Sequence, residues 1–119
     1  MKPGYTGVTR ILWATRYSLQ GLAAAWRHEP AFRQELALVA VLLPLAFVMG
    51  APGPERALLV AAALQVLVIE LLNTGIETAI DRMGDGHHDL SARAKDLGSA
   101  AVMLSLVLAG ATWGLVLLE

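Results

Sequence analysis

The sequence contains no cysteine, so it can build neither a disulfide framework nor a thiolate metal site, and its redox compartment cannot be read. Charge is also scarce: Asp, Glu, Lys and Arg make up 16% of the 119 residues against 56% hydrophobic, at a mean hydropathy of +0.59. That balance excludes an ordinary soluble domain. There is no Gly-rich Walker loop and no protein-kinase signature set, which excludes the common soluble nucleotide-binding folds. Repeats and low-complexity tracts are lacking. No cation-flanked apolar segment with a small-residue cleavage site opens the chain, so residues 1–26 are expected to stay in the mature protein.

The net charge of −1 conceals a segregation, because the charges crowd into the first third and into residues 81–96, whereas residues 97–118 carry none. Long uncharged stretches between charged ones predict membrane spans joined by wet loops. The expected fold is all-α and integral to a membrane, one domain over 1–119. It has a surface helix at about 6–28 and helices at 31–50, 55–82 and 91–118 that contain three spans. Residues 31–50 would reach about 30 Å, the thickness of a hydrocarbon core. Pro30 suits the first turn of that helix, Pro44 lies within it, and Pro52-Gly53-Pro54 marks the sharpest break.

The segment before Pro30 has too many charges for a span. Val8, Ile11, Leu12, Leu19, Leu22 and Trp26 fall on one side, with arginines for anionic headgroups and aromatics for the interface, so it is expected to lie on the bilayer. Arg10 and Tyr17 share another face with Ala14, Gly21 and Ala24, small residues that admit a close neighbour. Arg10 therefore suits either a headgroup or a bound ligand. Lys2, Arg10, Arg16, Arg27, Arg33, Arg82, Arg93 and Lys95 fall on one side of the predicted spans and only Arg56 on the other, which predicts a cytoplasmic N-terminus.

The costliest stretch is 66–81, an apolar helix pattern in which Glu70, Asn73, Glu77 and Asp81 share one stripe. A carboxylate at mid-depth costs about 2.5 kcal/mol or more, so its retention points to a working site or to a buried pair that ties helices together. The predicted topology brings Glu29, Glu77, Asp81, Lys95, Asp96, Arg10 and the His87-His88 loop to one level, with Glu70 about 10 Å deeper. Glu29 also suits the cap of the next helix. His87 and His88 read as a solvated loop pair or as ligands. Oxygen donors without thiolates favour Mg2+, which arrives with phosphate. A nucleotide at the water boundary and a deeper Glu70 that takes a proton from a lipid hydroxyl would join a soluble donor to a bilayer acceptor.

Glu70-Leu71-Leu72-Asn73-Thr74-Gly75-Ile76-Glu77-Thr78-Ala79-Ile80-Asp81-Arg82 and Leu90-Ser91-Ala92-Arg93-Ala94-Lys95-Asp96-Leu97-Gly98-Ser99-Ala100-Ala101-Val102 closely resemble the prokaryotic diacylglycerol kinase family. The resemblance extends to Gly7-Val8-Thr9-Arg10-Ile11, Ala24-Ala25-Trp26, Glu29 and Ala31-Phe32-Arg33-Gln34-Glu35, nearly the whole chain. It implies a bacterial inner-membrane, multi-pass homotrimer that uses MgATP to phosphorylate diacylglycerol to phosphatidic acid at sites shared between subunits, with no nucleic-acid partner. Carried over by position, Glu70 would be the general base and Glu29 with Glu77 would hold the metal. Asn73 would order the site, with Lys95 and Asp96 completing the catalytic group. ATP would meet Arg10, Tyr17, Glu29, Glu77, Gly86, His87, His88, Lys95 and Asp96. The lipid would meet Ala14, Ser18, Leu19, Ala23, Trp26, Ala31, Phe32, Arg33, Gln34, Glu35, Arg56, Glu70, Ser99 and Trp113. The family commonly has a carboxylate at position 86 and an aromatic at 87, where this chain has Gly86 and His87.

Two other readings remain at this stage. The undecaprenol kinase branch of the family has the same chemistry with another acceptor, and a non-catalytic oligomer would use Glu70 and Glu77 for packing or proton relay.

Overall fold

Proline and helix-end chemistry divide the chain where apolar runs must turn. The computed structural model describes residues 6–84 and 88–119. It contains four helices: α1 (Gly7–His28), α2 (Pro30–Met49), α3 (Pro54–Arg82) and α4 (Asp89–Leu118). Pro30 and Pro54 each open a helix, where a missing N–H costs nothing because first-turn donors have no helical acceptor. Gly53 precedes Pro54 with φ +93°, a backbone state a Cβ would strain.

Three of the helices, α2, α3 and α4, are long and apolar enough to cross a membrane. α3 is the hub, packed along α4 and α2, while α1 approaches chiefly α2. Its inward face follows helical spacing through Leu59, Ala62, Ala63, Val66 and Glu70, all buried. Small residues in that row let backbones come close, so the core is thin and built on contact between helices. Beyond it, large apolar side chains stand free, Val48 at 81% and Leu104 at 62% exposure among them. An apolar surface this extensive requires lipid or another protein surface.

Side-chain hydrogen bonds to backbone oxygens fix the packing. Gln65 donates from Nε2 to Ser105 O at 2.7 Å and to Ala62 O at 3.0 Å, and Trp113 Nε1 donates to Leu59 O at 3.0 Å. Both tie α3 to α4 where water cannot compete, and such ties are worth about 0.6–2 kcal/mol each.

Arginines close two helix ends. Arg33 Nη1 donates to Trp26 O at 2.6 Å, at the C-terminal turn of α1. Arg56 Nη2 donates to Phe47 O at 2.9 Å and Gly50 O at 3.3 Å, with its guanidinium 5.0 Å from the Phe47 ring centroid. Each places a cation where unpaired carbonyls gather, the favourable end of the helix dipole. These two contacts set the angle between α1 and α2 and the turn between α2 and α3.

Candidate active site

Glu70 is the deepest charged group, 4% exposed on the buried seam of α3. Its carboxyl lies beside that of Glu35, one helix away on α2, and within electrostatic range of Glu77 and Glu29. Glu70 thus lies within reach of three other carboxyl groups, from α2, α3 and the α1–α2 joint. Glu35 Oε2 is shut off from solvent and has no partner. A carboxyl at the core of an apolar helix with a second carboxyl beside it, and no cation closing it among the described residues, is an arrangement that can hold or accept a proton.

Toward the end of α3, Asn73 Nδ2 donates to Glu77 Oε1 at 3.3 Å. The two sit one helical turn apart, so α3 itself supplies the orientation. The Asn73 Oδ1 atom is buried without a donor, against Gly98 of α4. Glu29 occupies the N-cap position of α2, where its place in the sequence put it, but its carboxylate makes no capping hydrogen bond. The extended Glu29 backbone (φ −121°, ψ 99°) turns the chain between α1 and α2 and leaves the carboxylate half-buried at the edge of a cleft.

That cleft lies between α1 and α3, has a volume of about 690 Å3, and is lined by Ser18, Leu22, Glu29, Leu71, Thr74 and Thr78 among others. Its hydroxyls differ in one respect. Ser18 donates to Ala14 O at 2.8 Å and Thr78 to Thr74 O at 2.8 Å, the usual back-bond of a helical hydroxyl. The Thr74 hydroxyl is buried and has no partner.

Lys95 Nζ meets Asp81 Oδ1 at 2.6 Å, which joins the α3 end to the first turns of α4. Asp96 is exposed beside it. His88 caps α4, its Nδ1 accepting from Leu90 N at 3.1 Å, so this ring is already committed to the helix start. Gly86 and His87 lie outside the described residues.

On α1, Tyr17 stacks on Trp13 at 5.8 Å between centroids, Arg16 lies over Trp13 at 5.5 Å, and Arg10 is exposed. Neither Arg10 nor Tyr17 bonds to a carboxylate among the described residues. Of the residues expected to meet lipid, Leu19, Ala23, Trp26, Ala31, Gln34 and Ser99 are exposed and Ala14 is half-buried, whereas Phe32 is buried in the chain's own core. Arg33, Arg56 and Trp113 hold backbone carbonyls as described. Sequence reasoning missed Gln65, which could have been found as the one amide inside the apolar run 57–69. Gly98 was legible as one of the small residues that open α4, but its contact with Asn73 was not.

No three His, Cys, Asp or Glu side chains converge on a common point among the described residues. Two carboxylates nonetheless fit Mg2+, which is ordinarily held by one or two of them together with water and substrate phosphates. The uncommitted Glu29 carboxylate and the amide-oriented Glu77 supply that donor set.

The sequence profile of the family described as prokaryotic diacylglycerol kinase matches residues 16–117. The chain is similar to the diacylglycerol kinase of Pseudomonas aeruginosa, 49% identical over 115 residues that make up 97% of this chain and 94% of that one. It is 46% identical to that of Haemophilus influenzae over 109 residues, 92% of each. Against the Escherichia coli K12 diacylglycerol kinase it is 44% identical over 112 residues, 94% of this chain and 92% of that one.

Proposed function

As a member of the prokaryotic diacylglycerol kinase family the chain is a lipid kinase, and we propose that it moves the γ-phosphate of ATP onto diacylglycerol with Glu70 as general base and Mg2+ held by Glu29 and Glu77. The observation that carries this division of labour is the burial of Glu70 among apolar residues beside Glu35, in electrostatic reach of the other two carboxylates. Bound there, Mg2+ would offset phosphate charge and fix the triphosphate.

The chain's own residues account for the rest. The acceptor's hydroxyl reaches Glu70 from the bilayer side, through the α1–α3 cleft, whose apolar walls suit acyl chains and whose Thr74 hydroxyl, buried without a partner, would turn outward to bond the lipid's glyceryl oxygens. Glu70 takes the hydroxyl proton as the lipid oxygen bonds to the γ-phosphorus and the bond to ADP breaks. Lys95 offers its charge to phosphate in exchange for Asp81, and Arg10 is free to do the same. Asn73 holds Glu77 in position.

The exposed Val8, Ile11, Leu12, Leu19, Leu22 and Trp26 support a bilayer-lying α1, and the distribution of Lys and Arg supports a cytoplasmic N-terminus in a bacterial inner membrane. A homotrimer with shared sites accords with the uncovered, small-residue-rich face of α4.

The test is Mg2+-dependent transfer of labelled γ-phosphate from ATP in mixed micelles, with diacylglycerol and undecaprenol offered separately. Transfer to diacylglycerol is expected. Preference for undecaprenol would move the chain to the other branch, and transfer to neither would overturn the reading.

A further inference from the structure

Gly98 is buried where α4 crosses α3, and the space in front of its Cα is filled by the Asn73 carboxamide. A Cβ at position 98 would collide with Asn73 Oδ1 and lie 3.2 Å from Asn73 Cγ. The three atoms nearest to that point all belong to Asn73, so it is first of all this side chain that the glycine makes room for. The amide it accommodates is unusual. Its Oδ1 is closed to solvent and bonded to no donor, while its Nδ2 lies 3.3 Å from Glu77 Oε1. Turned the other way, the amide oxygen would face the carboxylate and repel it. The bond to Glu77 thus sets which end of the amide faces it, and the space at Gly98 lets the amide occupy that position, although an unpaired buried oxygen is costly.

We propose that Gly98 is a positioning residue for the metal site: by leaving space on α4 it fixes the Asn73 amide, which in turn orients the Glu77 carboxylate. The inference rests on the reading of Glu77 as a metal-holding group. Partners that orient a ligating carboxylate typically account for about 10–100-fold in metal affinity. An added methyl at 98 acts through the amide. Asn73 springs from the rigid middle of α3, so its carboxamide must rotate off Glu77 to avoid the new carbon.

The experiment is a Mn2+ titration by electron paramagnetic resonance, in detergent micelles with a non-hydrolysable ATP analogue, on the full chain and four variants: Glu77→Gln, Asn73→Ala, Gly98→Ala and Asn73→Ala with Gly98→Ala. Glu77→Gln is expected to weaken Mn2+ binding. Gly98→Ala and Asn73→Ala are each expected to weaken it about tenfold or more. Because the atoms the methyl meets first are those of Asn73, the double variant is expected to bind Mn2+ as Asn73→Ala does. Wild-type affinity in Gly98→Ala, or a double variant whose loss is the product of the two single losses, overturns the proposal. Should Gly98→Ala fail to fold, the double variant, from which the colliding amide is gone, is compared with Asn73→Ala alone: equal affinity supports the proposal, and a further loss sinks it. Unchanged binding in Glu77→Gln would instead remove the metal assignment, a result distinct from failure of Gly98→Ala in a protein where Glu77 matters.

Discussion

Lys95 and Asp81 close the outer end of the α3–α4 pair with a 2.6 Å contact between ammonium and carboxylate. Both side chains are substantially exposed, at 43% and 66%, so water and salt screen the pair and it adds little to stability. Its weakness suits a cation that exchanges one partner for another. Replacing Lys95 by Met is expected to raise the KM for ATP by about tenfold or more, whereas Asp81→Asn should change it far less and leave thermal stability nearly unchanged. Initial rates against ATP concentration decide this; an unaltered KM in Lys95→Met would remove Lys95 from the nucleotide site.

Glu70→Gln keeps the shape of the side chain and removes its capacity to accept a proton. Turnover is expected to fall by about 100- to 10,000-fold with little change in binding of a non-hydrolysable ATP analogue. Glu35→Gln should slow turnover less, because Glu35 touches Glu70 and not the reacting atoms. Near-normal turnover in purified Glu70→Gln would end its assignment as base.

The two cleft threonines provide an internal control. Thr78 spends its hydroxyl on Thr74 O at 2.8 Å, while the Thr74 hydroxyl is unbonded. Thr74→Val is therefore expected to raise the KM for the acceptor lipid several-fold, and Thr78→Val to leave it unchanged. Equal effects of the two would detach the lipid from this cleft.

Arg56 and Trp113 hold backbone carbonyls at 2.9 Å and 3.0 Å, so their loss should be felt as stability first. Arg56→Met and Trp113→Phe are each expected to lower the temperature of half-inactivation in micelles, by an amount equivalent to about 1 kcal/mol, with the acceptor KM unaltered. A changed acceptor KM at unchanged stability would show that these side chains serve the lipid.

Much of the architecture was legible because its causes are local. Pro30 and Pro54 can open helices but cannot sit comfortably within most of them, and uncharged runs of about twenty residues have few soluble fates. The stripe from Glu70 through Asn73 to Glu77 follows from helical spacing alone, and so does the Asn73–Glu77 bond within one helix. The roles of Arg33, Arg56 and Trp113 were not legible in this way. Each side chain can snorkel, cap or touch lipid, and the choice depends on which carbonyl another helix brings within reach.

By itself the sequence determined that the chain forms apolar helices, that its carboxylates cluster on one of them, and which family it belongs to, because spacing, hydropathy and residue identity are properties of the chain order. Only the tertiary structure decided that Glu35 would meet Glu70, that Thr74 would keep a free hydroxyl in a cleft, and that Gly98 would leave room for Asn73. These are distances between side chains on different helices, and they are set by how closely the helices pack and at what rotation, which no periodicity within a single helix encodes.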